Sequence, residues 1–459
     1  MKISKTITIS AVFIWANSLF FVDVAWAGIP IQQWTQASGA KVYLVQSPVI
    51  PMVDVQVDFD AGSRRDPAEQ AGLASVTSMM VSKGLGAGPS ANQPALDENA
   101  LGEAWADLGA SFGANASNDR MSFSLRSLTY PDLLAQAIQL AARQLAAPSF
   151  PSDVWVRERE AMQASIREAN TRPATIAGRA FSQAVYGAHP YGFEMTQESL
   201  ARIEVPHMAA LYRHLIQPCR AKVTVVGALD REQADQLVNQ LLSGLSALPT
   251  AVGAGACAAL PAVPEVAPLQ QASEQRIAFD SAQAHVLVGQ PGFKRDDPDF
   301  FALTVGNYIL GGGGFVSRLT NEVREKRGLS YSVYSYFAPS MHAGAFTLGL
   351  QTRPDQADQA LQVSRDVLAR FVADGPTDVE LQAAKANLIG GFALRIDSNR
   401  KLLDNVANIA WNNLALDYLD TWTRQVEKVS LADIQAAFQR KLQPQTMATV
   451  VLGGSTAAH

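Results

Sequence analysis

Val53-Asp54-Val55-Gln56-Val57, running on to Gly62-Ser63-Arg64, has a second version later in the chain: His285-Val286-Leu287-Val288-Gly289, running on to Gly292-Phe293-Lys294. From Gly62 to Gly292 the offset is 230 residues. Three further landmarks recur in the same order. Met121-Ser122-Phe123-Ser124-Leu125, ending at Pro131-Asp132, returns as Ala345-Phe346-Thr347-Leu348-Gly349, ending at Pro354-Asp355, with an offset of 223 between the prolines. Pro151-Ser152-Asp153-Val154 returns as Pro376-Thr377-Asp378-Val379 at an offset of 225, and Gln217-Pro218 as Gln443-Pro444 at 226. The larger first value places a short insertion or deletion between the first two landmarks. A period above 200 residues is a domain duplication rather than a solenoid.

Each copy has one order of elements: a strand region, a helix, more strands, several long helices, a last strand. Val42-Tyr43-Leu44-Val45 and Val223-Thr224-Val225-Val226 are β-rich runs. Leu133–Leu145 carries Leu134, Ile138, Ala141 and Leu145 at helical spacing, and Ala360–Val372 carries Leu361, Leu368, Phe371 and Val372. Strands separated by helix pairs predict an α+β fold of two homologous halves, each a mainly antiparallel sheet with helices packed on one face. The order is not the βαβ alternation of a two-domain solute-binding protein with parallel sheets. Between the halves, Pro249–Leu269 is rich in Ala, Pro, Gly and Val with Glu265 its one charge, which reads as an extended linker. The expected boundaries are therefore 28–248 and 270–459, with the linker at 249–269.

Composition narrows the class. With 459 residues, 48% of them apolar, the chain can build large cores, so general disorder is excluded. A net charge of −5 argues against a nucleic-acid partner. Met1–Ala27 reads as a cleaved export signal: Lys2 and Lys5, an apolar stretch over residues 7–22, then Ala25-Trp26-Ala27 before Gly28. The stretch is short and interrupted for a membrane anchor. The expectation is an exported protein of the bacterial periplasm, without an anchor once the signal is removed. Two cysteines, Cys219 and Cys257, exclude a disulfide-dense scaffold, a CxxC site and a cysteine zinc site. In an oxidising space they are free to pair, though nothing in the sequence demands it. The six histidines form no H-x-x-E-H, H-E-x-x-H or Cys/His cluster. His207 and His214 share a helix face and read as surface or packing residues. His189, before Pro190, reads as structural, and His285 and His342 have no carboxylate at ligand spacing. Glu158, Glu160 and Glu168, interleaved with Arg157, Arg159 and Arg167, read as a solvated helix face.

The most distinctive string is Leu310-Gly311-Gly312-Gly313-Gly314-Phe315-Val316-Ser317-Arg318-Leu319, continuing as Glu322-Val323-Arg324-Glu325-Lys326-Arg327-Gly328-Leu329-Ser330-Tyr331-Ser332-Val333. A glycine run before a helix can cradle phosphate. No Lys-Ser/Thr follows and no G-x-G-x-x-G is present, so nucleotide binding is not expected. Close approach of the backbone to a partner, or a gate over a cavity, fits Gly311, Gly312, Gly313 and Gly314 better. The string, the duplication and Tyr186-Gly187-Ala188-His189-Pro190-Tyr191-Gly192 together resemble the pitrilysin/insulinase superfamily, in particular the two-subunit processing peptidases. The resemblance covers essentially all of the chain after the signal.

That resemblance carries specific implications. Active members hold Zn²⁺ with an inverted H-x-x-E-H motif on the first helix of the N-terminal half, where i and i+4 lie on one face, and with a Glu from a later helix. Here Asp66, Pro67 and Glu69 read as the capped start of that helix and Gly84 as its stop. Alignment on Gly72-Leu73-Ala74 puts Ser75 and Met79 at the two His positions and Ser78 at the Glu position. The later Glu falls on Ser165, or on Ala164 if the register slips. Hydroxyls and a thioether are poor Zn²⁺ ligands, so no metal is expected in this chain. The family's second-half pair, an Arg and a Tyr seven residues apart that bind substrate and its developing oxyanion, matches Arg324 and Tyr331. Spacing alone would make Arg324 a surface ion-pair partner and Tyr331 a core cap; the matched string favours the functional role. The implied protein is the non-catalytic subunit of a periplasmic heterodimeric zinc metallopeptidase. A homologous zinc-motif-bearing partner would supply the zinc, a clam-like shell would enclose the site, and peptides would be the substrates. The alternative is an inactive peptide-binding or scaffold protein of the same fold with no peptidase partner.

Overall fold

The structure is a computed structural model that describes residues 28–88, 93–245 and 256–454. The expected export signal and the first part of the linker lie outside the described residues. Strands β1 (Gln32–Thr35), β2 (Lys41–Gln46), β3 (Met52–Phe59), β6 (Ser111–Ala116), β7 (Met121–Leu128) and β8 (Lys222–Gly227) form one sheet in the order β1-β2-β8-β3-β7-β6. Between β3 and β6, β4 (Gly84–Leu85) and β5 (Leu96–Asp97) make a small ribbon of their own. Strands β9 (Ser273–Ile277), β10 (Ala284–Pro291), β11 (Ser332–Phe337), β12 (Ala345–Thr352) and β13 (Ala448–Leu452) form the second sheet in the order β11-β12-β10-β13-β9. Reversed, that order is β9-β13-β10-β12-β11, which repeats β2-β8-β3-β7-β6 strand for strand. Each sheet is antiparallel except for one parallel pair, β2 with β8 and β9 with β13. The duplication read in the sequence is thus a duplication of topology.

The run Val42-Tyr43-Leu44-Val45 explains how the sheets are covered. Side chains alternate across a strand, so a continuous apolar run must be buried on both faces. Val42 and Leu44 join Val223 and Val225 in the core formed with the N-terminal half's own helices. Tyr43, Val45 and Val226 point the other way, into a layer with Leu402, Leu403, Val406, Ile409 and Ala410. Those five residues belong to the helix Asn399–Trp411 of the C-terminal half. The exchange is reciprocal. The helix Pro173–Tyr186 of the first half lays Ala177, Phe181 and Val185 on Ala345, Ala448, Val450 and Leu452 of the second sheet. Each half therefore completes the other's sheet.

Polar contacts close both ends of this exchange. Lys222 on β8 donates to the Ala410 and Trp411 carbonyls at 2.9 Å each and to Asn413 Oδ1 at 3.0 Å, capping the C-terminus of the visiting helix. Burial pulls its ammonium down to about 8. At the other end the Tyr186-to-Gly192 string ties the halves. Ala345 N–H donates to the Tyr186 hydroxyl at 2.8 Å. The Tyr191 hydroxyl donates to Asp119 Oδ1 at 2.5 Å and accepts from the His342 N–H at 3.2 Å. Residues 256–272 are extended and without regular structure. Arg220 and Arg65 donate to the Ala258 and Pro261 carbonyls, holding this linker to the first half at 2.8 and 2.9 Å. Cys219 and Cys257 are disulfide-bonded, Cα–Cα 5.7 Å, which fastens it just before β8. No helix among the described residues is long and apolar enough to cross a membrane.

Candidate functional site

The first helix of the N-terminal half is shorter than its sequence signals imply. It runs Leu73–Met80, preceded by separate short turns at Ser63–Arg65 and Ala68–Gln70. Gly72, at φ +102°, breaks the chain away from the Pro67 turn, and a Cβ there would lie 2.7 Å from Met195. Asp66 still serves the helix start, from six residues away: its carboxylate accepts the Gly72 and Ala74 N–H groups at 3.0 Å each. Burial pushes its carboxyl up to about 7, against those bonds. Gly84 is not the stop; it pairs with Asp97 in the β4–β5 ribbon, and the helix ends at Met80.

Ser75 and Met79 lie four apart on this helix and are both half-buried, while Ser78 is buried. Met79 packs against the N-terminal core. Ser78 donates to the Ser75 carbonyl at 2.9 Å, a bond to its own helix. Ser165 is exposed on the helix Ser152–Ala169. Hydroxyls and a thioether, with an exposed serine as the later residue, do not fit Zn²⁺. Among the described residues no group of three His, Cys, Asp or Glu side chains is placed to hold a metal ion.

The neighbouring charges behave as a solvated face. Glu158 meets Lys83 at 2.9 Å and Arg157 at 2.8 Å, and these partners hold its carboxyl below the usual range. Glu168 pairs with Arg172 at 2.5 Å. The histidines are structural in differing ways. His189 is buried; its Nδ1 accepts the Tyr191 N–H, so Nε2 carries the proton toward the Pro264 carbonyl at 2.9 Å. His207 Nδ1 accepts the Glu204 N–H at its helix start. His342 does have a carboxylate: Glu265, distant in sequence, lies 3.2 Å from its Nδ1 because the linker folds back.

The second half holds Arg324 and Tyr331 on the wall of one open cavity of about 530 Å³, with Gln283, Arg353 and Gln356. Arg324 sits on a wide-turn helix, Thr320–Glu325, and Tyr331 immediately precedes β11. Between them Gly328, at φ +63°, reverses the chain. Tyr331 is 86% exposed, so it caps no core. The Arg324 guanidinium lies over the Phe315 ring, 4.8 Å from its centroid, and 3.4 Å from Glu325.

The glycine run is mostly internal packing. A Cβ on Gly311 would lie 2.4 Å from Ser335 Oγ on β11, one on Gly312 2.8 Å from Asn307, and one on Gly313 2.7 Å from the Tyr308 carbonyl. The close approach expected of Gly311 to Gly313 is therefore to their own chain. Gly314 differs: it faces open space at φ +61° and turns the chain outward into Phe315. Phe315 carries no weight in a reading of the sequence, although its place after four glycines marks it.

Comparison with known proteins agrees with this geometry. Residues 41–198 match the family model described as Insulinase (Peptidase family M16), and residues 202–388 match the Peptidase M16 inactive domain. A solved peptidase M16 inactive domain from Pseudomonas fluorescens is 32% identical, covering 94% of this chain and 99% of that one, with a TM-score of 0.85. An uncharacterised zinc protease of Mycobacterium leprae is 25% identical over 91% of this chain and 90% of its own length. The non-peptidase homologue YmxG of Helicobacter pylori is 25% identical over 90% and 91%. The chain belongs to the M16 family, the pitrilysin/insulinase peptidases. Within it, this is a non-catalytic M16-like protein.

Proposed function

We propose that the chain is the zinc-free subunit of a heterodimeric M16 peptidase in the periplasm. A homologous partner brings the complete zinc motif; this chain brings Arg324, Tyr331 and half of the enclosing shell. One observation carries the reading: the positions matched to the metal ligands hold Ser75, Met79 and Ser165, which make a poor Zn²⁺ donor set, while Arg324 and Tyr331 share one open cavity wall. A guanidinium and a phenol hydroxyl there stabilise negative charge developing on the carbonyl oxygen of the scissile peptide. The Cys219–Cys257 disulfide supports an oxidising compartment, in keeping with the export signal read at Met1–Ala27. The expected boundaries at 28–248, 249–269 and 270–459 belong to the same proposal. Co-expression with the zinc-bearing homologue should yield a complex that cleaves peptides. Arg324→Ala should lower its kcat by about 10²–10³-fold. Wild-type activity in that variant, or peptide hydrolysis by the lone chain at the rate of the mixture, would refute the assignment. A chain that never associates with such a homologue would instead be an inert peptide-binding or scaffold protein.

A further inference from the structure

We propose that Phe315 is a positioning residue for Arg324, and that the glycine run exists to present it; the catalytic part of this rests on the role proposed above for Arg324. Phe315 is 72% exposed on the short turn Gly314–Val316, where an apolar ring gains little from the fold. Its face is nonetheless occupied, because the Arg324 guanidinium lies 4.8 Å from the ring centroid. The competing contact is Glu325, adjacent in the chain, at 3.4 Å from Arg324 Nε and 54% exposed. Such an exposed pair is weak and screened. In the structure Arg324 makes both contacts at once, its Nε toward Glu325 and its plane over the ring, so the arrangement that competes with this one is release from the ring fully onto Glu325. Over the ring its terminal Nη groups stay available to an acceptor in the cavity; released onto Glu325, its charge is neutralised and those donors are used. The ring's quadrupole favours the first by about 0.5–1 kcal/mol at an exposed site, a two- to fivefold change in population. Gly311, Gly312 and Gly313 pack the preceding turn tightly, and Gly314 at φ +61° throws Phe315 outward to where Arg324 can rest on it.

Two measurements test this, one independent of any partner. In the isolated chain, phenylglyoxal modification of Arg324 is followed by peptide mass spectrometry in wild type, Phe315→Leu and Phe315→Tyr. Leucine keeps the bulk but removes the quadrupole. The Arg324 rate should fall two- to fivefold in Phe315→Leu, as the guanidinium moves onto Glu325, and stay at the wild-type value in Phe315→Tyr; an unchanged rate in Phe315→Leu overturns the positioning role. In the co-expressed complex, Phe315→Leu should lower kcat two- to fivefold at unchanged KM, and Phe315→Tyr should restore it. A loss with Arg324→Ala but none with Phe315→Leu overturns the role of Phe315 alone. Full activity in Arg324→Ala overturns the reading of Arg324 and the catalytic role of Phe315 with it, so the two failures are told apart.

Discussion

Replacing Phe181 by alanine tests whether the helix lent by the first half holds the second half's sheet. Phe181 belongs in sequence to the first half, yet its ring lies in the layer with Ala448, Val450 and Leu452 of the second sheet. It is 7% exposed, and its Cζ sits 2.7 Å from where a Cβ on Gly289 would be. A Cβ on Gly289 of β10 would meet the Phe346 carbonyl at 2.1 Å and then this ring, so the glycine leaves the ring its space. Truncation leaves a void that the strand has no side chain to fill, so the cost belongs with poorly collapsing sites, about 3–4 kcal/mol for Phe→Ala. The assay is hydrogen exchange on the peptides covering Ala284–Pro291 and Ala448–Leu452. A loss of about 3 kcal/mol means exchange faster on the order of 10²-fold wherever opening of this layer governs it. Ile138→Ala, in the first half's own core, is the control and should leave β10 and β13 protected. Unchanged exchange in those strands of Phe181→Ala would show that the visiting helix does not hold the second sheet.

Two further outcomes follow from covalent and charge chemistry. The Cys219–Cys257 bond spans 38 residues, for which chain entropy predicts about 4 kcal/mol of stabilisation as an upper figure. The Cys219→Ser/Cys257→Ser protein should therefore unfold at clearly lower urea than the oxidised wild type, and an equal midpoint would refute the contribution. Glu380 behaves as an acid-labile contact. Burial pushes its carboxyl up, but Arg318 at 2.6 Å and the Thr377 N–H and hydroxyl outweigh it and hold the carboxyl down to about 2. A depressed carboxylate contributes stability above its unfolded value near 4.5 that is lost as pH falls toward 2. Arg318→Met should flatten that part of a melting-temperature profile; a profile parallel to wild type between pH 5 and pH 2 would contradict it.

The fold was legible because its signals are periodic. Strand alternation, helical spacing and the fourfold landmark offset are statements about local geometry, and topology repeated where sequence repeated. The exchange of helices was not legible. Nothing in Ala177, Phe181 and Val185 says which sheet their face meets, and the run Val42–Val45 reads in the sequence only as a β-rich strand. The start of the first helix was misplaced because Asp66, Pro67 and Glu69 are capping residues by type, while the break at Gly72 depends on Met195, far along the chain. Glu265 beside His342 was missed for the same reason: ligand-spacing rules see only neighbours in sequence.

The candidate site shows the limit from the other side. Motif matching placed Ser75, Ser78, Met79, Ser165, Arg324 and Tyr331, but their fates differ physically. Ser78 is bonded to its own helix and Met79 packs on the core, so these two serve the fold, whereas Ser165 is exposed. Tyr331 and Phe315 do the reverse: at 86% and 72% exposure they bury little, and neither repays its apolar surface in packing. Large aromatics left in water, Tyr331 on the cavity wall and Phe315 beside Arg324, contribute little to the stability of the lone chain. Their surface becomes useful only when something covers it, so a chain selected for stability alone would carry polar residues there. That contrast within one molecule supports a surface that works against a partner or a peptide.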